Sequence, residues 1–171
     1  YKTDQKAILA NLPPKRRQFV YLDRGEQNSP SAFKRDIQKA NRTGDRASIF
    51  EVMLSESASR KRKYVIDRVK EAVGFGQKVV VFTGRRADCD RLGREIEKAV
   101  NAKVWCAHGG TSTSERDKIR VEYMQTTDPC VLVGTGDAWG ESVNLQDTDL
   151  ALFVMLPWTP RSIRQWEGRF S

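Results

Sequence analysis

The sequence predicts an α/β fold in three layers, built on a mainly parallel sheet and preceded by a basic, largely helical N-terminal segment. Two observations predict it. The short runs at 78–83, 103–106, 130–133 and 150–156 are largely apolar, which is typical of strands buried on both faces. Segments with helical periodicity separate the first three runs, and this alternation indicates parallel strands joined by right-handed crossovers.

Composition adds a charge asymmetry to this fold. The chain of 171 residues is long enough for one domain, or for one domain with an appendage. Residues 1–70 hold 17 Lys and Arg against 8 Asp and Glu, whereas residues 71–171 hold 13 against 14. The excess of positive charge indicates an anionic partner for the N-terminal part, most simply nucleic acid. A solvated basic segment that binds nothing specific would have the same composition.

The cysteines and the apolar runs bear on the cellular compartment. No apolar run reaches the roughly 20 residues that span a bilayer, and no signal-peptide pattern opens the chain. Cys89, Cys106 and Cys130 form no close pair in sequence, which argues against disulfides and against a zinc site. We therefore expect no membrane partner and an intracellular location, either cytoplasmic or nuclear.

The N-terminal segment is expected to contain an arm, a strand and three helices. Residues 15–23 alternate as a β-strand does, and residues 31–54 have a helical pattern that is interrupted at 43–45, which predicts two short helices. A third helix is expected over 59–73. The basic residues 60–63 at its start conflict with the helix dipole, which favours acids there. Such a conflict is common on an exposed face, and it can also mark a functional patch.

The apolar run at 78–83 is expected to be the first strand of the sheet. It ends in Thr83-Gly84-Arg85-Arg86, after which residues 87–100 have a helical pattern. A helix start after a buried strand offers backbone N–H groups to an anion. An ordinary strand–helix turn with exposed arginines would explain the same residues.

A second such junction follows the strand at 103–106. The loop contains Gly109, Gly110 and Thr111, and the capping-box spacing from Ser112 to Glu115 starts a helix near position 113 that ends near 125. Glycines before a helix start let a phosphodiester approach the backbone, although a plain loop and cap would look alike. His108 has no cysteine or carboxylate pair at ligand spacing, so we interpret it as a loop residue rather than a metal ligand.

The C-terminal third carries the densest set of polar residues. The run at 130–133 ends in Thr135-Gly136-Asp137, and a glycine-bearing loop leads from it to Asn144. After the run at 150–156 comes a segment with several guanidinium and polar groups: Arg161, Arg164, Gln165, Gly168 and Arg169. Open α/β sheets place ligands at the carboxyl ends of their strands, and guanidinium forks suit phosphate.

These residues resemble the motifs of superfamily-two helicases, with the Snf-type ATP-dependent DNA translocases as the most similar branch. Residues 135–145 resemble motif V, Ser-Thr-x-Ala-Gly-Gly-x-Gly-x-Asn-Leu, and residues 165–169 resemble motif VI after the Trp-x-Pro at 158–160. The strand end at 83–84 is similar to motif IV, and the loop at 107–116 is similar to motif IVa. Each motif is loose alone, and the four in this order are specific to the superfamily.

Some positions depart from the family pattern. Trp139 and Ser142 stand where motif V prefers glycine, which predicts a stiffer loop. The second arginine of motif VI would follow Ser171, the last residue of the sequence. Since the chain also begins without methionine, we expect it to be part of a longer protein.

The resemblance implies the second RecA-like lobe of a two-lobed motor. Residues 1–73 would be a linker, an initial strand and a basic helical segment, and residues 74–171 the lobe, cut within motif VI. Arg169 would contact the transferred phosphoryl group as both a catalytic and a cofactor-binding residue, and Gln165 would brace that site. Two residues would border the nucleotide: Gly140 and Asn144. Seven would contact nucleic acid: Thr83, Gly84, Arg85, Gly110, Thr111, Thr135 and Gly136.

The cofactors implied by the resemblance are ATP and Mg²⁺. The sequence has no Gly-x-x-x-x-Gly-Lys-[Ser/Thr] and no Asp-Glu pair, which in the family lie in the first lobe. We therefore expect double-stranded DNA and a first RecA-like lobe as partners, ATP hydrolysis in the intact protein, and no activity of this chain alone. Two alternatives remain: an RNA or strand-separating helicase lobe, and a non-catalytic nucleic-acid-binding module on a degenerate RecA-like lobe.

Overall fold

A computed structural model describes residues 16–22, 30–42, 44–136, 138–139, 145, 147–156 and 164–165. The helices are α1 (Pro30–Arg42), α2 (Arg46–Gly74), α3 (Arg86–Ala99) and α4 (Thr113–Gln125). The strands are β1 (Val79–Thr83), β2 (Lys103–Ala107), β3 (Cys130–Thr135) and β4 (Leu150–Phe153).

The four strands form one parallel sheet in the order β2-β3-β1-β4. Strands β1 and β3 are buried at every position, because helices cover both faces of the sheet. On one face α2 and α3 pack over the first core cluster: Val65, Val69, Ala72, Val79, Val81, Cys89, Leu92, Ile96, Val131, Val133 and Val154. On the other face α4 packs over the second: Val80, Phe82, Trp105, Ala107, Ile119, Tyr123, Cys130, Leu132, Ala138, Trp139 and Leu145. The predicted three-layer fold with a parallel sheet is confirmed.

Helix α2 differs from its prediction. The pattern indicated one helix ending near residue 54 and another beginning near 59, but a single helix of 29 residues runs through both. Its N-cap is Asp45, whose carboxylate accepts hydrogen bonds from the backbone N–H groups of Ala47 and Ser48. Gly44, with φ of 65°, supplies the left-handed turn that separates it from α1.

The basic residues 60–63 therefore lie in the middle of a helix, and the predicted conflict with the helix dipole is wrong. Arg60 pairs with Glu56 at 2.8 Å, and Arg62 pairs with Glu95 of α3 at 3.2 Å. Lys61 Nζ donates to the carbonyl oxygen of Val154 at 2.7 Å, and burial lowers the pKa of its ammonium group. Much of this cluster is thus engaged in contacts within the lobe.

The predicted strand over 15–23 is wrong for residues 16–22, the part of it that the structure describes. These residues have no regular structure, and Phe19 and Tyr21 are 72% and 93% exposed. The sequence does alternate between apolar and polar residues here. A strand also needs a neighbouring strand to pair with, and the alternation alone does not show that one is present.

The boundary predicted between residues 73 and 74 stays a prediction. Val65, Val69 and Ala72 of α2 are part of the core that α3 and the sheet share. Across the described part of the chain, no helix is long and apolar enough to cross a membrane.

Candidate nucleic-acid interface

The strand ends that the sequence singled out meet at one edge of the sheet. Because all four strands are parallel, their carboxyl ends lie on the same side, and we refer to this side as the carboxyl edge. Thr83 at the end of β1 lies directly beside Thr135 at the end of β3. On the far side of β3, Ala107 pairs with Gly134, so the loop after β2 begins at the same level. The loops after β1, β2 and β3 are therefore neighbours.

The two threonines at the centre of this edge are both buried, at 0% and 7% exposure for Thr83 and Thr135. The Thr83 hydroxyl lies 3.4 Å from the carbonyl oxygens of Gly134 and Arg85. The Thr135 hydroxyl is buried and has no hydrogen-bond partner among the described residues. A buried hydroxyl without a partner costs about 1–3 kcal/mol, so a ligand that paired with it would recover that free energy.

The loop after β3 is anchored by two contacts. The indole of Trp139 is fully buried and lies against Gly134, where an added Cβ would overlap its Nε1. Arg116 of α4 donates through Nη1 to the carbonyl oxygen of Ala138 at 2.7 Å. Trp139 stands where the family prefers glycine, and its indole fits because Gly134 in the strand beneath it has no side chain. Gly136, at the start of this loop, is buried.

The loop after β2 is held by His108. Its Nε2 lies 3.1 Å from the Asp90 carboxylate, and its Nδ1 accepts the backbone N–H of Gly110 at 3.0 Å. The backbone N–H of His108 donates to the Thr111 hydroxyl at 3.1 Å, and the Thr111 N–H donates back to the His108 carbonyl at 2.8 Å. His108 is the loop residue that we predicted. Helix α4 then begins at Thr113, where the Ser112 hydroxyl accepts the N–H of Glu115, so this capping prediction is confirmed.

The loop after β1 contains two adjacent arginines in different situations. Arg85 pairs with both carboxylate oxygens of Asp88 at 2.7 and 2.8 Å, and it reaches the carboxylate of Glu51 on α2 at 3.1 Å. These hydrogen bonds, that to Asp88 above all, raise the pKa of Arg85. Gly84 before it is exposed, and its backbone passes close to the side chain of Met155, two residues after β4. The resemblance assigned a nucleic-acid contact to Arg85 and not to Arg86, which is exposed.

Of the remaining predicted residues, only Gln165 is in the described part of the chain. Gln165 lies beside Arg164 in a helical turn, and both are exposed. Gly140, Asn144 and Arg169 lie outside the described residues, so their roles stay predictions. Among the residues described, no group of three His, Cys, Asp or Glu side chains could hold a metal ion.

The chain matches one family along most of its length. The sequence pattern of the family described as "Helicase conserved C-terminal domain" matches residues 60–171. A Xenopus tropicalis relative, SWI/SNF-related matrix-associated actin-dependent regulator of chromatin subfamily A-like protein 1, is 23% identical over 169 residues. That match covers 95% of this chain and 18% of the relative, so the chain spans less than a fifth of the relative's length.

Solved structures give the same fold. The Sulfolobus solfataricus SWI2/SNF2 ATPase core domain has a TM-score of 0.62 at 16% identity, covering 81% of this chain and 34% of that one. The C-terminal part of the Fun30 ATPase domain has a TM-score of 0.56 at 18% identity, covering 64% and 35%. The predicted likeness to the second RecA-like lobe of superfamily-two helicases, with Snf-type proteins among the relatives, is confirmed. The chain belongs to the helicase conserved C-terminal domain family.

Proposed function

We propose that this chain is the C-terminal motor lobe of an ATP-dependent translocase that moves along duplex DNA. The observation that supports the DNA contact is the carboxyl edge, where two buried threonines, one without a described partner, lie beside exposed glycine loops. A related fold, the Sulfolobus solfataricus SWI2/SNF2 ATPase core, has been solved in complex with double-stranded DNA, at a TM-score of 0.57.

The contact would be made mainly to the phosphate backbone. The exposed backbone of Gly84 could approach a phosphate closely because glycine has no side chain, and the buried Thr135 hydroxyl beside Gly136 could donate to one. The Gly110 N–H already donates to His108 Nδ1 and helps to shape its loop. Thr83 and Thr111 are engaged in hydrogen bonds that shape the loops. Such contacts fix register on a strand without reading its sequence, as movement along DNA requires.

ATP and Mg²⁺ would be held mostly by a first RecA-like lobe. In the intact protein, ATP would be hydrolysed in the cleft between the lobes, and closure of the lobes would be used to step along duplex DNA. On the side of this chain, Arg169 would place a guanidinium at the transferred phosphoryl, Gln165 would brace that arginine, and Gly140 and Asn144 would border the nucleotide. The intact protein would act where chromosomal DNA is accessible, in the nucleus or cytoplasm.

ATP hydrolysis by the intact protein tests this proposal. We expect stimulation by duplex DNA, and we expect Arg169→Ala to lower turnover by about 3–5 orders of magnitude while DNA binding is largely kept. Arg164→Ala is the matched control, because Arg164 is an exposed arginine of the same segment. This chain alone should be inactive.

Three other outcomes would contradict the proposal. Normal hydrolysis by Arg169→Ala would remove the role of that residue. Stimulation by RNA instead of DNA would indicate an RNA helicase lobe. Nucleic-acid binding without any hydrolysis would indicate a non-catalytic binding module.

A further inference from the structure

We propose that Arg86, rather than its neighbour Arg85, is the arginine with which the carboxyl edge holds a backbone phosphate, and that Gly110 positions it. The inference rests on the proposed function, because it names one residue of the same nucleic-acid contact. It also gives Gly110 a different role. The missing side chain makes room for the guanidinium of Arg86, and not directly for a phosphodiester.

Arg85 is unsuited to a phosphate because its guanidinium is already engaged. Nε and Nη2 donate to the two carboxylate oxygens of Asp88, and Nη1 donates to the Glu51 carboxylate and to the Glu51 carbonyl. Its side chain is only 18% exposed. A phosphate would have to displace two carboxylates, so Arg85 ties the start of α3 to α2.

Arg86 has the opposite surroundings. It is exposed, and within the described part of the chain no carboxylate lies within ion-pair distance of its guanidinium. The acid one turn later on α3, Asp90, has its carboxylate beside His108 Nε2 at 3.1 Å, and Asp88 is paired with Arg85. Among the described residues, the Arg86 guanidinium therefore has no acidic partner, and a guanidinium is well suited to bidentate contact with phosphate.

The position of Arg86 is defined by Gly110. A Cβ built on Gly110 would lie 2.7 Å from Arg86 Nη1 and 2.9 Å from its Cζ. The guanidinium therefore rests on the Gly110 backbone, between the loops after β1 and β2. Gly110 does not have a positive φ, so its backbone would accept alanine, and the atoms that oppose a side chain there are those of Arg86 and His108.

Binding of fluorescent duplex DNA to the intact protein tests the first part. Arg86→Ala should weaken binding roughly tenfold and lower the slope of log K against log salt by about 1, as the loss of one phosphate contact does. Arg94→Ala is the charge control, an exposed arginine two turns further along α3. Since Arg94 lies about 12 Å along the helix from Arg86, its loss should leave the slope nearly unchanged.

A double-mutant cycle tests the second part. Gly110→Ala should push the guanidinium aside and weaken binding several-fold, whereas Gly109→Ala should change nothing, because a Cβ at 109 meets no atom within 4 Å. In the Arg86→Ala background, Gly110→Ala should lose most of its effect. Any part of its effect that acts through His108, which lies 3.1 Å from the same Cβ position, would persist in that background.

The failures can be told apart. If wild-type protein binds duplex DNA but Arg86→Ala binds with the wild-type affinity and salt slope, the inference is wrong and the proposed function stands. Fully additive effects of the two substitutions would leave Arg86 as a contact and remove the role of Gly110. If the wild-type protein binds no duplex DNA, the proposed function fails and this inference fails with it.

Discussion

Polar groups at the two ends of the strands differ in whether they have hydrogen-bond or ion-pair partners. At the amino edge, where the strands begin, Lys78 is 7% exposed and its ammonium donates to the carbonyl oxygens of Tyr123 and Thr126 at 2.8 and 3.0 Å. Its backbone N–H donates to the Asp149 carboxylate at 2.8 Å. At the carboxyl edge, the buried Thr135 hydroxyl has no partner among the described residues, and exposed Arg86 makes no described ion pair.

This difference separates stability from binding. The Lys78 ammonium lies at the end of α4, where the last carbonyl oxygens of a helix favour a cation, so this buried charge is satisfied without a ligand. Among the described residues, the carboxyl edge leaves the Thr135 hydroxyl and the Arg86 guanidinium without a hydrogen-bonded or acidic partner, at the side where open α/β sheets bind their ligands. Substitutions at the amino edge should therefore change folding, and those in the exposed loops of the carboxyl edge should change binding.

The largest loss of stability should come from the buried residues beneath the carboxyl edge, Trp139 and Gly134. Trp139→Ala should lower the free energy of unfolding by about 3–5 kcal/mol, because a fully buried indole leaves a cavity. Gly134→Ala should cost about 1–3 kcal/mol, since its Cβ would overlap the indole and lie 3.0 Å from the Ala107 carbonyl oxygen. Urea unfolding of this chain measures both.

The two substitutions should be coupled. In the Trp139→Ala background, Gly134→Ala should cost much less, because the indole that it overlaps is gone. Gly74→Ala is the control, as a Cβ there meets no atom within 4 Å. Equal costs of Gly134→Ala with and without Trp139 would show that the loop does not rest on this glycine.

The amino edge should give the next largest effect. Lys78→Met keeps most of the aliphatic stem but removes the donors to Tyr123 and Thr126, and it should lower the free energy of unfolding by about 2–3 kcal/mol. Lys98→Met, at an exposed lysine in the last turn of α3, should stay within about 0.5 kcal/mol of wild type. A Lys78→Met protein as stable as wild type would show that the edge does not depend on its hydrogen bonds.

The smallest effect should appear as a pH dependence of the amino edge. Hydrogen bonds from Lys103 and Trp105 hold the pKa of Glu122 below its ordinary value of 4.5. Because the folded pKa is the lower one, the stabilisation is fully present above pH 4.5 and is lost as the pH falls through the folded value. Glu122→Gln should therefore flatten the acid limb of a plot of unfolding free energy against pH, measured between pH 3 and 7. An unchanged acid limb would show that these hydrogen bonds contribute nothing.

Patterns local to the chain predicted most of the fold. The apolar runs became β1 to β4, and the capping-box spacing placed the start of α4 at Thr113. Contacts between distant residues decided what the sequence could not. Arg85 and Arg86 are adjacent in sequence, but their contacts differ in the folded lobe. Arg85 pairs with Asp88 and with Glu51, 34 residues earlier, whereas Arg86 lies against Gly110. The continuous helix α2 is another case, since no breaker separated the two helical patterns and the core fixes only its second half.

Helix α2 also has a mechanical consequence. At 29 residues it is about 44 Å long, and α1 packs along it while its last turns are embedded in the core. Between these ends it meets the tips of two strands, through Glu51 and Arg85 after β1 and through Lys61 and Val154 after β4. A displacement of α1 would therefore be transmitted through the rigid helix α2 to the residues after β1 and β4, without deformation of the sheet.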